Sequence, residues 1–134
     1  MNLAMIAPFV EQMKREGEAS SVYASLAQWA RLNGLPGISE WFAKASVEET
    51  EHQKKFMDFV VDYYDKPVPI PGRIEAFLQP TSALDAFNAA RELEGEVTNF
   101  IEELARKAEQ VEDQVARNFL EWFLEEQNKS GCVS

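Results

Sequence analysis

The sequence predicts an all-α fold, a four-helix bundle with one long crossover between its second and third helices. Two patterns carry that expectation. Good helix formers fill four stretches, at about residues 8–32, 37–64, 82–110 and 113–129, with apolar residues recurring at steps of three and four. The crossover at 65–81 contains Pro67, Pro69, Pro71, Gly72 and Pro80, which forbid a continuous helix there. A length of 134 residues fits a single domain, taken as 1–134, with enough chain to bury a core.

Each element has its own signals. The first helix stops at Asn33-Gly34, and the tight connection Asn33-Gly34-Leu35-Pro36-Gly37 makes the first two helices antiparallel neighbours. At roughly 3.3 Å per extended residue, the stretch from Lys66 to Thr81 reaches about 50 Å. That is enough to run back along a helix spanning 37–64, which is roughly 42 Å long. Helix three opens at Ser82, with Asp85 three residues on as a capping pair. Helix four opens near Asp113, whose side chain suits an N-cap, and Ser130-Gly131 breaks it.

Composition narrows the function. Hydrophobic residues at 46% and charged residues at 27% are those of a folded protein rather than a disordered one. A formal net charge of -10 argues against a nucleic-acid partner. No stretch approaches the ~20 apolar residues that a membrane helix needs, so no membrane partner is expected. The start, from Met1 to Pro8, has no basic region before its short apolar run, and the expected location is the cytoplasm. The single cysteine, Cys132, excludes a disulfide within the chain and reads as a frayed tail residue.

The chemistry lies where the apolar rows are interrupted. Helix two carries Phe42, Ala45, Glu49, His52, Phe56, Phe59 and Tyr63 on one face, and helix three carries Phe87, Ala90, Glu94, Val97, Ile101 and Leu104. Helix one contributes Phe9, Met13, Glu16, Ser20 and Tyr23, and helix four Ala116, Leu120, Phe123 and Gln127. Three glutamates and a histidine therefore point inward at mid-bundle. Ionised carboxylates buried without partners cost several kcal/mol each and repel one another. Few basic residues lie on these rows, and a pair of divalent or trivalent metal ions would neutralise them. Carboxylates from separate helices beside a Glu-x-x-His pair form a known di-metal arrangement.

At this point the residues resemble the non-haem bacterial ferritins, over about residues 8 to 129. Glu16, Tyr23, Trp29 and Glu48-Glu49-Thr50-Glu51-His52 fall in ferritin register without a gap. Glu94-Gly95-Glu96-Val97-Thr98 resembles the third-helix motif, and the run from Phe119 to Gln127 the fourth-helix motif. The resemblance implies a ferritin-like fold with a di-iron centre and a ferroxidase reaction, the oxidation of Fe(II) to Fe(III) by dioxygen or peroxide. It implies that Glu16 and His52 hold one iron, Glu49 bridges, and Glu94 holds the second. Gln127 would act beside the second iron, and Tyr23 would serve as electron donor or radical quencher. It also implies a homo-oligomer, a two-fold dimer or a 24-subunit cage, with iron storage where a cage forms.

The chain also departs from the family pattern. Val97 follows Glu94 where bacterioferritin and rubrerythrin carry a second Glu-x-x-His histidine. Thr50 stands where bacterioferritins place a haem-ligating methionine, so no haem is expected. An accessory third iron site would use Glu48 and Glu126, but its other two positions are Lys129 and Ser130. Arg117 and Leu120 replace the acidic lining of the three-fold channel in animal ferritins. Ferritins continue beyond the fourth-helix motif into a fifth helix, and this chain stops at Ser134. The fifth helix is thus expected to be missing, which leaves cage closure open while the two-fold contact survives through Val68, Ile70, Ile74, Phe77 and Leu78. Two further readings compete: a non-catalytic ferritin-like shell or interaction subunit, and another di-metal carboxylate oxidase using manganese or mixed metals.

Overall fold

The computed structural model describes residues 1–129. Residues 130–134, together with the side chain of Lys129, lie outside the described residues, and so do the expected helix break and tail cysteine. A short 3₁₀ turn, Leu3–Met5, leads into α1 (Ile6–Leu32), α2 (Pro36–Tyr64), α3 (Ala83–Gln110) and α4 (Gln114–Lys129). The described residues contain no strand, and the crossover between α2 and α3 is irregular throughout.

Local chemistry sets the helix limits. Pro8 does not start α1 but stands in its first turn, where backbone N–H groups lack intrahelical partners anyway. Pro36 rather than Gly37 opens α2, since its fixed φ suits the first helical position. Gly34 takes a left-handed φ of 72°, and Leu35 N donates to Ala30 O at 2.9 Å, closing a Schellman-type turn. The same bond ends α3, where Asp113 N donates to Ala108 O at 2.8 Å with Glu112 at φ 58°. Ser82 Oγ accepts from Asp85 N at 3.1 Å, while Asp85 Oδ2 reaches back past Ser82 to accept from Thr81 N at 2.9 Å.

Small polar residues bring α1 and α2 together. Ser46 Oγ donates to Ser20 O at 2.8 Å, and Ser20 Oγ lies 2.9 Å from both Ser46 O and Thr50 Oγ1. One turn away, Gln53 Nε2 donates to Met13 O at 3.1 Å, passing over Gly17. A Cβ at Gly17 would stand 2.6 Å from that nitrogen, so the reach requires a glycine there. Leu78 N donates to Ser25 Oγ at 2.8 Å and pins the crossover to α1.

The core forms two clusters. One gathers Phe9, Met13, Phe56, Val60, Ile101, Leu120 and Phe123 with their neighbours, and the other Tyr23, Leu26, Phe42, Ala45, Ala86 and Ala90. Two positions depart from the expected rows. Val60 and Tyr64 are buried, whereas Phe59 and Tyr63 are half-buried, because a seven-residue alternation drifts around a 3.6-residue helix. In the crossover, Val68 and Leu78 pack inward onto the two clusters, leaving Ile70, Ile74 and Phe77 exposed.

Asp113 knots one end of the bundle. It is 1% exposed and accepts from Tyr64 Oη at 2.7 Å, Tyr63 Oη at 3.0 Å, Asn2 N at 3.0 Å and Ala116 N at 3.2 Å. The last bond makes it the N-cap of α4, and the others tie in the chain start and the end of α2. Burial pushes its carboxyl up, but those four donors more than offset that and hold it below 3.8. Its carboxylate therefore contributes stability above pH 3.8 that is lost as pH falls through the depressed value. Asp113→Ala is expected to lower the unfolding free energy by about 2–4 kcal/mol in denaturant titrations at neutral pH. The variant should also lose part of the parent's acid sensitivity.

Candidate metal centre

The two core clusters are separated by a polar layer contributed by all four helices. Glu16 lies between Met13 and Tyr23 on α1, Glu49 between Ala45 and Phe56 on α2, and Glu94 between Ala90 and Val97 on α3. Glu16 and Glu49 are fully buried, Glu94 is 4% exposed, and Gln127 on α4 is 6% exposed. Each sits on its helix's inward stripe, so the register that buries the apolar neighbours buries the carboxylates as well.

Glu16, Glu49 and His52 form one group, with a ligand atom from each within 4.8 Å of the others. His52 Nδ1 lies 3.4 Å from Glu49 Oε2 and 3.7 Å from Glu16 Oε2. The imidazole meets the Phe123 ring edge-on at a centroid distance of 4.9 Å, a contact that orients it. Glu94 is close enough to Glu49 for the two carboxylates to interact. Tyr23 Oη donates to its Oε1 at 2.6 Å, and Gln127 Nε2 donates to its Oε2 at 3.1 Å. Gln127 Nε2 also lies 3.1 Å from Thr98 Oγ1.

The hydrogen bonding is uneven in an informative way. Both oxygens of Glu94 have donors, and Glu16 Oε1 accepts from Gln12 Nε2 at 3.1 Å. Glu16 Oε2, both oxygens of Glu49 and His52 Nδ1 are buried without a hydrogen-bond partner. Orphaned buried acceptors on this scale are rare in a folded protein, and these face one another. The lysine and arginine ion pairs among the described residues all go elsewhere, to Glu11, Asp58, Glu109 and Glu121. Burial, then Glu16, then Glu94, pushes the Glu49 carboxyl well above its ordinary 4.5. The donor set, carboxylate oxygens with one imidazole, fits divalent iron, manganese or zinc.

Of the residues expected from the sequence, the structure thus brings Glu16, Glu49 and His52 within ligand distance of one another. It places Glu94, Tyr23 and Gln127 together as a hydrogen-bonded trio beside Glu49. Glu48 and Glu126 are half-buried. Gln12 was missed, although it lies one turn before Glu16 on the inward side and is 1% exposed. The signal was an uncharged polar residue on an apolar stripe, which steps from Phe9 to Met13 pass over.

A four-helix bundle with one long crossover connection is the ferritin-like class of folds. The chain belongs to the ferritin family: residues 6–131 match the family described as ferritin-like domain. It is 31% identical over 117 residues to the ferritin BfrB of Mycolicibacterium smegmatis, covering 87% of this chain and 64% of that one. It is 28% identical over 126 residues to the bacterial non-haem ferritin of Escherichia coli O6:H1, covering 93% of this chain and 75% of that one. Its fold is therefore the ferritin-like four-helix bundle. An open pore ferritin from the hyperthermophilic archaeon Archaeoglobus fulgidus superposes with a TM-score of 0.90 at 31% identity, over 96% of this chain and 78% of that one. None of the four helices is long and apolar enough to cross a membrane.

Glu49 makes the metal-free protein sensitive to pH. Its folded value lies above 4.5, so its contribution is complete below that pH and is lost as pH rises through the raised value. In chelator-treated protein the melting temperature is expected to fall as pH rises above 4.5, and Glu49→Gln should flatten that slope. A divalent metal should reverse the fall in the parent, because it binds the ionised carboxylate.

Proposed function

We propose that this chain is a ferroxidase, oxidising Fe(II) to Fe(III) at a di-iron site inside the bundle, with iron storage where copies assemble into a shell. The observation that carries the reading is the set of buried, unpartnered ligand atoms on Glu16, Glu49 and His52 beside Glu94. Family membership supports the same chemistry.

Fe(II) is the substrate. Glu16 and His52 are suited to hold one ion and Glu94 the second. Glu49 interacts with both other carboxylates and has two oxygens without a hydrogen-bond partner, which suits it to bridge. Two Fe(II) ions give up one electron each, and dioxygen takes both with two protons to leave as hydrogen peroxide. With peroxide as oxidant, the same two electrons and two protons yield water.

The protein's own residues do the rest. Tyr23 and Gln127 hold Glu94 through both of its oxygens, and Tyr23 is a redox-capable side chain in contact with the site. The clusters on either side exclude bulk water, which strengthens each charge interaction within. The exposed Ile70, Ile74 and Phe77 of the crossover are the candidate two-fold contact of a homo-oligomer. We assign the chain to the cytoplasm and to a single domain over 1–134, with no haem in its chemistry.

Anaerobic Fe(II) titration followed by exposure to air is expected to give a fast oxidation phase that saturates near two irons per chain. Glu49→Ala and His52→Ala should each slow that phase by at least about 100-fold, in line with loss of a ligand. Oxidation at the parental rate in both variants would sink the reading and favour a non-catalytic shell or interaction subunit. Saturation by manganese with no Fe(II) phase would favour another di-metal oxidase.

A further inference from the structure

Gln12 is buried at 1% exposure in the apolar seam of α1, and its amide is used in one direction only. Its Nε2 donates to Glu16 Oε1 at 3.1 Å, while its Oε1 has no partner. The residue also lines a cleft of about 290 Å³ between α1 and α3, with Glu11, Arg15 and Phe100.

We propose that Gln12 is a positioning residue for the metal centre: it takes up one oxygen of Glu16 and thereby makes Glu16 a ligand through Oε2 alone. The inference rests on the proposed metal site and goes beyond it, because it assigns how one ligand is presented. The last torsion of a glutamate is broad and two-fold, so the side chain itself does not choose which oxygen faces inward. A buried amide hydrogen does. With Oε1 held on the Gln12 side, Oε2 is left facing His52 Nδ1 at 3.7 Å with no other partner.

The three carboxylates then divide by role. Glu16 has one oxygen held and one free, Glu94 is held at both by Tyr23 and Gln127, and Glu49 is held at neither. Without the Gln12 amide, Glu16 is no longer held in one orientation, which loosens the first binding step. It is also free to turn and offer both oxygens to one ion, which would raise the coordination number there.

Cobalt(II), titrated anaerobically, tests this without turnover. Gln12→Met keeps the length and apolar surroundings but removes the donor. It is expected to weaken the first cobalt-binding step by about 10- to 100-fold and to lower the intensity of the visible cobalt absorption, as higher coordination requires. Met13→Leu, beside it and not touching Glu16 through a hydrogen bond, should leave both unchanged. Thermal melts of the metal-free proteins establish that each variant is folded, and Gln12→Leu replaces Gln12→Met should the latter fail to fold. Parental affinity and spectrum in a folded Gln12 variant would overturn the positioning role and leave the metal site standing. A parent that binds no cobalt, or binds it equally well as Glu49→Ala, would overturn both.

Discussion

Glu49 sits in the middle of an apolar seam with neither carboxylate oxygen hydrogen-bonded, and two more carboxylates, Glu16 and Glu94, act on it. An arrangement of that kind costs several kcal/mol unless a proton or a cation offsets it. The structure holds the cost in place rather than relieving it. Among the described residues the lysine and arginine ion pairs go to other carboxylates, and the amide and phenol donors of the layer bond Glu16 and Glu94 rather than Glu49. The layer divides the core into two clusters whose packing fixes the three helices that bear the glutamates. Iron, in the proposed reading, supplies what the side chains leave out.

Such a layer forms only when four helices agree in level. Several local devices set that agreement. The Gly34 turn aligns α1 with α2, and the reciprocal Ser20–Ser46 bonds hold the pair at close range near the site. Ser25 anchors the crossover, so α3 re-enters at a defined height. Asp113 joins α4 to the end of α2 and to the chain start through four hydrogen bonds. These contacts lie outside the site, yet they determine whether Glu94 and Gln127 arrive opposite Glu49.

How much of this could be read from residues alone differs between elements. The four helices and the crossover were legible, because helical periodicity and proline act over a few residues. So was the inward direction of Glu16, Glu49, Glu94 and Gln127, each a polar break in a regular row. The far end of α2 was less legible, since a seven-residue step drifts from Phe59 and Tyr63 towards Val60 and Tyr64. Val68 and Leu78 looked like surface contacts in a proline-rich stretch, and their inward turn depends on clusters built by distant residues. Asp113 read as a helix cap, while its bonds to Asn2, Tyr63 and Tyr64 join parts of the chain far apart in sequence.

The amino-acid sequence by itself determined the helices, their inward faces and the Glu49–His52 pair, all of which follow from spacing along one helix. Tertiary structure decided which atoms meet. It set Gln12 against one oxygen of Glu16 and Tyr23 and Gln127 against Glu94, and left both oxygens of Glu49 without a hydrogen-bond donor. The physical reason is range. A helix repeats every 3.6 residues whatever surrounds it, whereas a hydrogen bond near 3 Å between helices needs the packing of the whole bundle to place both ends.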